Sequence, residues 1–133
     1  MARYVILEHQ TPPDAPRGRH WDFMIERDGV LRTWVLPSPP SDGASLEAES
    51  LADHRLDYLD YEGPISGGRG SVRRWDAGQY TLREETNGRI VVDLVGVRLA
   101  GAVELSRDDA DQRWRLRFFA RSPGGRASDC GAL

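Results

Sequence analysis

Segments that alternate apolar and polar residues recur along this chain, and a period of two marks strands that bury one face. In His20-Trp21-Asp22-Phe23-Met24-Ile25-Glu26, the side chains of Trp21, Phe23 and Ile25 fall on one face. His20, Asp22, Met24 and Glu26 fall on the other, with Met24 the one break in polarity. Tyr4 to His9 is rich in β-formers and reads as the opening strand. The breaker-rich run Thr11-Pro12-Pro13-Asp14-Ala15-Pro16-Arg17-Gly18 separates these two strands as a loop. Asp28-Gly29 predicts a hairpin turn into a third strand, Val30 to Leu36, which enters a Pro- and Ser-rich loop from Pro37 to Ser45.

Ser45 to Tyr61 is the one stretch read as helical or mixed, and Gly63 to Gly70 reads as irregular. Short strands are then expected at Ser71 to Trp75, Gln79 to Glu84, Arg89 to Leu94, Arg98 to Leu105 and Gln112 to Phe119. Asp76-Ala77-Gly78, Asn87-Gly88 and Arg107 to Asp111 separate them. Many short strands with turns between them point to a barrel or sandwich. No internal repeat or linker interrupts the chain, so residues 1–120 are expected as one domain and 121–133 as a frayed tail with little to bury.

Composition narrows the class. A chain of 133 residues, 39% hydrophobic and with four Trp and four Tyr, buries enough surface to fold without a metal or a disulfide. The formal charge of −3 argues against coating nucleic acid by bulk charge, but all 18 cations are arginine and a local basic groove remains open. Cys130 is the single cysteine, which rules out an intrachain disulfide and fits a reducing cytoplasm. The apolar run at the N-terminus is too short for a secretory signal, and no segment has the ~18 consecutive apolar residues of a membrane span.

The chemistry concentrates on three histidines, His9, His20 and His54. His20 and Asp22 are two apart on one strand and share a face, giving two arms of a metal site if a neighbouring strand supplies a third. His9, at the end of the preceding strand, is positioned to pair alongside. Imidazole plus carboxylate suits Mn, Fe, Zn or Co. On spacing alone, a plain surface pair is the commoner outcome.

His20-Trp21-Asp22-Phe23, then Gly29-Val30-Leu31-Arg32-Thr33-Trp34, then Asp53-His54-x-Leu56-Asp57-Tyr58-x-Asp60-Tyr61-Glu62-Gly63 occur in that order. Trp75-Asp76-x-Gly78 and Leu99-x-Gly101 follow. Together these resemble the 3'-phosphoesterase module of bacterial DNA ligase D, over roughly residues 4 to 119. The resemblance implies a mainly β fold: a small antiparallel β-barrel of about eight strands flanked by one or two short helices. It implies a metal-dependent 3'-phosphoesterase that trims ribonucleotides and phosphates from DNA 3' ends in repair. His9, His20 and Asp22 would hold the metal, manganese by the family's habit with zinc or cobalt as alternatives. His54 and Tyr58 would reach the scissile phosphate, where an imidazolium or a hydroxyl stabilises developing charge. The partners implied are DNA or RNA-tipped DNA 3' ends and end-joining repair proteins, with no membrane.

The chain departs from that family where cations are expected. Met24 stands in place of an Arg, Ser38 in place of a Lys and Ser50 in place of an Arg. A thioether supplies neither the charge nor the paired donors of a guanidinium. Arg17, Arg19 and Arg69 are the candidate replacements for phosphate binding. These losses favour an alternative, a weakened module that keeps the metal site but only binds DNA ends or a repair partner. A third reading, a metal hydrolase for a small substrate other than nucleic acid, fits the acidic charge.

Other features weigh less. Gly67-Gly68-Arg69-Gly70 lacks the context and the Lys of a P-loop and reads as a turn. Arg113, Arg115 and Arg117 alternate with Trp114, Leu116 and Phe118, a pattern that fits either a DNA track or a solvated outer face. Asp108, Asp109 and Asp111 lack the Gly and Glu of a calcium loop.

Overall fold

The computed structural model describes residues 2–107 and 113–121. Eight strands form a hydrogen-bonded ring: β1 (Arg3–Gln10), β2 (His20–Arg27), β3 (Val30–Leu36), β4 (Ser45–His54), β6 (Ser71–Thr86), β7 (Arg89–Gly96), β8 (Ala100–Arg107) and β9 (Arg113–Ala120). The order around it is β1-β2-β3-β4-β9-β8-β7-β6, and β6 pairs back onto β1. A two-residue β5 (Gly63–Pro64) pairs with the start of β6. Every pairing is antiparallel.

Period-two patterning fills the ring. All eight strands send alternate side chains into one core, from Tyr4 and Ile6 of β1 through Trp34 of β3 to Trp114, Leu116 and Phe118 of β9. Trp34 and Trp114 meet edge to face with centroids 5.7 Å apart, a favourable arrangement of ring quadrupoles. A second, smaller core lies on the opposite face of the first strands: Val5, Leu7, Met24 and Leu31 pack with Val72 under Leu59. Leu59 belongs to a 3-10 turn, Leu56–Leu59, the one helical element among the described residues. No helix among them is long and apolar enough to cross a membrane.

One sequence expectation is narrowed and another corrected. Ser45 to Tyr61, read as helical or mixed, is mixed but mostly strand: its first ten residues are β4, and only Leu56–Leu59 is helical, as a 3-10 turn. Its Leu, Glu and Ala content favours a helix, but the ring closes only if this segment bridges β3 and β9, and that pairing overrides a weak local preference. Asp76-Ala77-Gly78 is not a turn. One sixteen-residue strand runs through it, with a bulge that places Ile6 opposite Asp76 and Leu7 opposite Arg74. At Gly78 this strand takes up β7 as a partner, and a Cβ there would lie 2.1 Å from the Val95 carbonyl oxygen. Only glycine allows that approach. The expected turn at Asp108, Asp109 and Asp111 and the tail beyond Arg121 lie outside the described residues.

Asp76 explains why the strand continues. Its buried carboxylate accepts hydrogen bonds from the Tyr4 hydroxyl at 2.6 Å and from the backbone N–H groups of Arg98 at 2.8 Å and Leu99 at 3.2 Å. It thus ties β1, β6 and the β7–β8 turn together. Burial, then the bond to Asp76, pushes the Tyr4 phenol well above its ordinary pKa. A phenol that ionises less readily in the fold contributes stability present below the unfolded value of about 10 and lost as pH rises beyond it. Tyr4→Phe is therefore expected to cost about 1–3 kcal/mol at neutral pH, by leaving a buried acceptor short of a donor. It should also flatten the loss of stability between pH 10 and 11, both read from urea unfolding.

Candidate metal centre

The β1–β2 ladder sets His9 directly opposite His20 and Leu7 opposite Asp22. His9, His20 and Asp22 therefore leave the same outer face, and their ligating atoms all lie within 4.8 Å of one another. The two imidazole centroids are 4.6 Å apart. Asp22 places Oδ2 3.8 Å from Nδ1 of His9 and Oδ1 3.4 Å from Nε2 of His20.

Backbone carbonyls decide which ring nitrogens face the carboxylate. Nδ1 of His20 donates to the Gly18 carbonyl at 2.8 Å, and Nε2 of His9 donates to the Arg69 carbonyl at 2.8 Å. Each ring thus keeps its proton on the outer nitrogen and turns a lone pair toward Asp22, the arrangement by which carbonyl acceptors behind the ring orient metal-binding histidines. The Gly-rich run supplies one of these acceptors. Gly70 has φ +93°, and a Cβ on it would lie 1.9 Å from the Gln10 carbonyl oxygen, so only glycine lets this segment dock on the end of β1.

Asp22 itself is 5% exposed, and its Oδ1 is a buried oxygen without a hydrogen-bond partner. Burial pushes its carboxyl above the ordinary range, against the opposing pull of His20, His9, His54 and Arg17. An orphaned carboxylate oxygen between two imidazole lone pairs is costly unless a cation shares it. Two imidazole nitrogens and a carboxylate are also a donor set suited to a divalent transition metal. The residues fit such an ion.

His54 and Tyr58 stand beside this group. Nδ1 of His54 lies 3.0 Å from both the Ala52 carbonyl and the Thr33 hydroxyl. The Thr33 hydroxyl spends its own proton on the Leu31 carbonyl, so His54 carries its proton on Nδ1 and donates through it. Tyr58, held by the 3-10 turn, meets the His54 ring edge to face at 5.7 Å. Both line one cleft of about 630 Å³ with His9, His20 and Asp22.

The cations divide. Arg17 and Arg69 line this cleft. Arg17 reaches Glu49 at 2.9 Å and holds that carboxyl below its usual range, while the Arg69 guanidinium bonds to Ser66. Arg19 turns away to the buried Glu8, at 2.7 Å, and stacks on Trp21. Met24 lines the cleft as part of the smaller core, and Ser50 stands opposite Trp34, out of phase with the cleft-lining Leu51. Sequence reasoning missed Thr33 and the Gly18 and Arg69 carbonyls. Thr33 had a signal, as a polar residue among the apolar ones of β3; a backbone carbonyl has none.

The profile of the DNA Ligase D 3'-phosphoesterase domain matches residues 9–107. The chain belongs to this family. It is 37% identical over 120 residues to the multifunctional non-homologous end joining protein LigD of Mycobacterium bovis, covering 84% of this chain. It is 31% identical over 137 residues to the LigD protein of Pseudomonas aeruginosa, covering 96% of this chain. The chain spans only 15% and 16% of the length of these two curated relatives.

Two outcomes are expected from this geometry. Asp22→Asn should leave the melting temperature of the metal-free protein unchanged or higher, because it removes a buried charge. The same variant should lose the stabilisation that saturating manganese or zinc gives the parent, about 2.7 kcal/mol at one hundred times Kd. Gly70→Ala should weaken metal affinity about 10- to 100-fold by displacing the carbonyl that orients His9, as titration calorimetry would read.

Proposed function

We propose that this domain is a metal-dependent 3'-phosphoesterase that removes a terminal ribonucleotide or phosphate from DNA 3' ends during repair. One observation carries the reading: the unpartnered Oδ1 of Asp22, faced by two imidazoles, lies in the same cleft as His54 and Tyr58. Membership of the phosphoesterase family and the end-joining names of its relatives support the substrate class.

His9 through Nδ1, His20 through Nε2 and Asp22 would hold the ion, with manganese the first candidate and zinc or cobalt the alternatives. A divalent ion there supplies Lewis acidity toward a phosphoryl oxygen. His54 presents Nε2 to the phosphate, donating to it when the ring is protonated, and the Tyr58 hydroxyl is a second donor to the phosphate or the leaving oxygen. Arg17 and Arg69 provide positive charge on the cleft wall where Met24 has none. Arg19, committed to Glu8, contributes only if that pair opens. End-joining proteins are the partners this role implies.

A second reading is a module that binds DNA ends or a repair partner without turning over. Met24 favours it, since a buried thioether occupies a cleft position where the family carries a guanidinium.

A labelled primer–template with one 3'-terminal ribonucleotide should be shortened in the presence of manganese. His20→Ala and Asp22→Ala should be inactive on it. His54→Ala should lower kcat by about 10²–10⁴ with metal binding intact, as loss of a positioned proton donor does. Unchanged 3'-ribonucleotide and 3'-phosphate ends, with manganese bound at the site, would select the second reading.

A further inference from the structure

A second, larger groove of about 1090 Å³ opens beside the metal cleft, and Arg17 and His20 line both. Among the described residues it is lined by five arginines and two glutamates. That is a local excess of positive charge in a chain whose formal net charge is −3. We propose that this groove holds the sugar–phosphate backbone of the DNA whose 3' end reaches the metal cleft. The inference rests on the proposed phosphoesterase reading and says where the rest of the substrate lies.

The strand registers supply the geometry. Asp22 pairs with Val35, Val35 with Glu49, and Glu49 with Arg113, so these four residues form one lateral row across β2, β3, β4 and β9. Three strand spacings of about 4.8 Å put the Arg113 backbone roughly 14 Å from that of Asp22. Arg115 is the next residue on the same face, roughly 7 Å along β9 and opposite Glu47. Two-residue spacing along a strand is close to the separation of adjacent phosphates in an extended nucleic-acid chain. The alternation in β9 keeps this face polar: Trp114, Leu116 and Phe118 are buried in the ring, and Arg113, Arg115 and Arg117 are exposed.

Arg19 is held by the buried Glu8 and turns away from a ligand, whereas the partners of Arg17 and Arg115 are exposed. Arg17 pairs with Glu49, with both side chains more than two-fifths exposed, and Arg115 donates to the Ser45 hydroxyl at 3.0 Å. Exposed pairs of this kind are worth little in water and yield to a phosphate. The glutamates also set a sign that can be tested. They oppose a polyanion, so removing one should tighten binding.

The test is fluorescence anisotropy of the full chain with an all-deoxy primer–template in manganese, an end that binds without being shortened. The Arg113→Ala/Arg115→Ala double variant should bind at least tenfold more weakly. The slope of log K against log salt should become shallower by about 0.9 for each phosphate that the variant no longer neutralises. Glu47→Gln should bind more tightly than the parent, and Arg83→Ala, on the far strand β6, should be unchanged. A double variant with parental affinity and salt slope overturns the track; if the parent still shortens 3'-ribonucleotide ends, the phosphoesterase reading survives that result. Weaker binding by the double variant, with no processing by the parent, supports the track and removes the enzymatic reading. A parent that neither binds DNA nor shortens it overturns both.

Discussion

Antiparallel register between β1 and β2 is the constraint on which the site depends. It sets His9 opposite His20 and leaves Asp22 two residues along the same face. A slip of one residue would turn His9 and Leu7 into the ring, where Ile6 and Tyr4 now lie, and put Ile6 and Glu8 on the outer face in their place. That register is held from both sides. Trp21, Phe23 and Ile25 are locked into the large core, while Val5, Leu7 and Met24 are locked under the 3-10 turn. A strand buried on two faces has no alternative pairing of comparable energy, so the geometry around Asp22 is built into the packing rather than left to a loop.

The same two-sided burial gives the site its electrostatics. The outer face of β2 would be solvated in a simple ring of strands. Here Leu59, Tyr58 and the Gly-rich run cover it, and the carboxylate of Asp22 is left with histidines as its nearest polar neighbours. Burial makes an unshared charge expensive, and that cost is what a bound cation would relieve. The carbonyls of Gly18 and Arg69 complete the arrangement by assigning the imidazole protons. Both come from loops packed against strand ends, so loop conformation and ligand orientation are one problem.

Charge is distributed to suit a site at the edge of a groove. Cations that line the metal cleft are few and partly engaged, whereas the adjoining face gathers arginines from the β1–β2 loop, the end of β8 and β9 around Glu47 and Glu49 of β4. Closure of the ring is what makes this face continuous with the site. Because β4 pairs with β9, a strand from the end of the sequence is brought within three strand spacings of Asp22.

Much was determined by local sequence. Alternation in His20–Glu26 separated the inward aromatics from His20 and Asp22, and Asp28-Gly29 announced the turn to β3, because both signals are written in consecutive residues. The family motifs placed His54 and Tyr58 in a common run. What only the tertiary structure decided concerns partners distant in sequence. Ser45–His54 is a strand because the ring needs it between β3 and β9, and Asp76 is a buried acceptor for Tyr4, Arg98 and Leu99 rather than a turn residue. The tautomers of His9 and His20, the commitment of Arg19 to Glu8, and the meeting of Arg113 with the row from Asp22 belong to the same class. Each depends on which backbone passes nearby, and strand pairing over dozens of residues is set by the packing of the whole ring, which no local window of sequence contains.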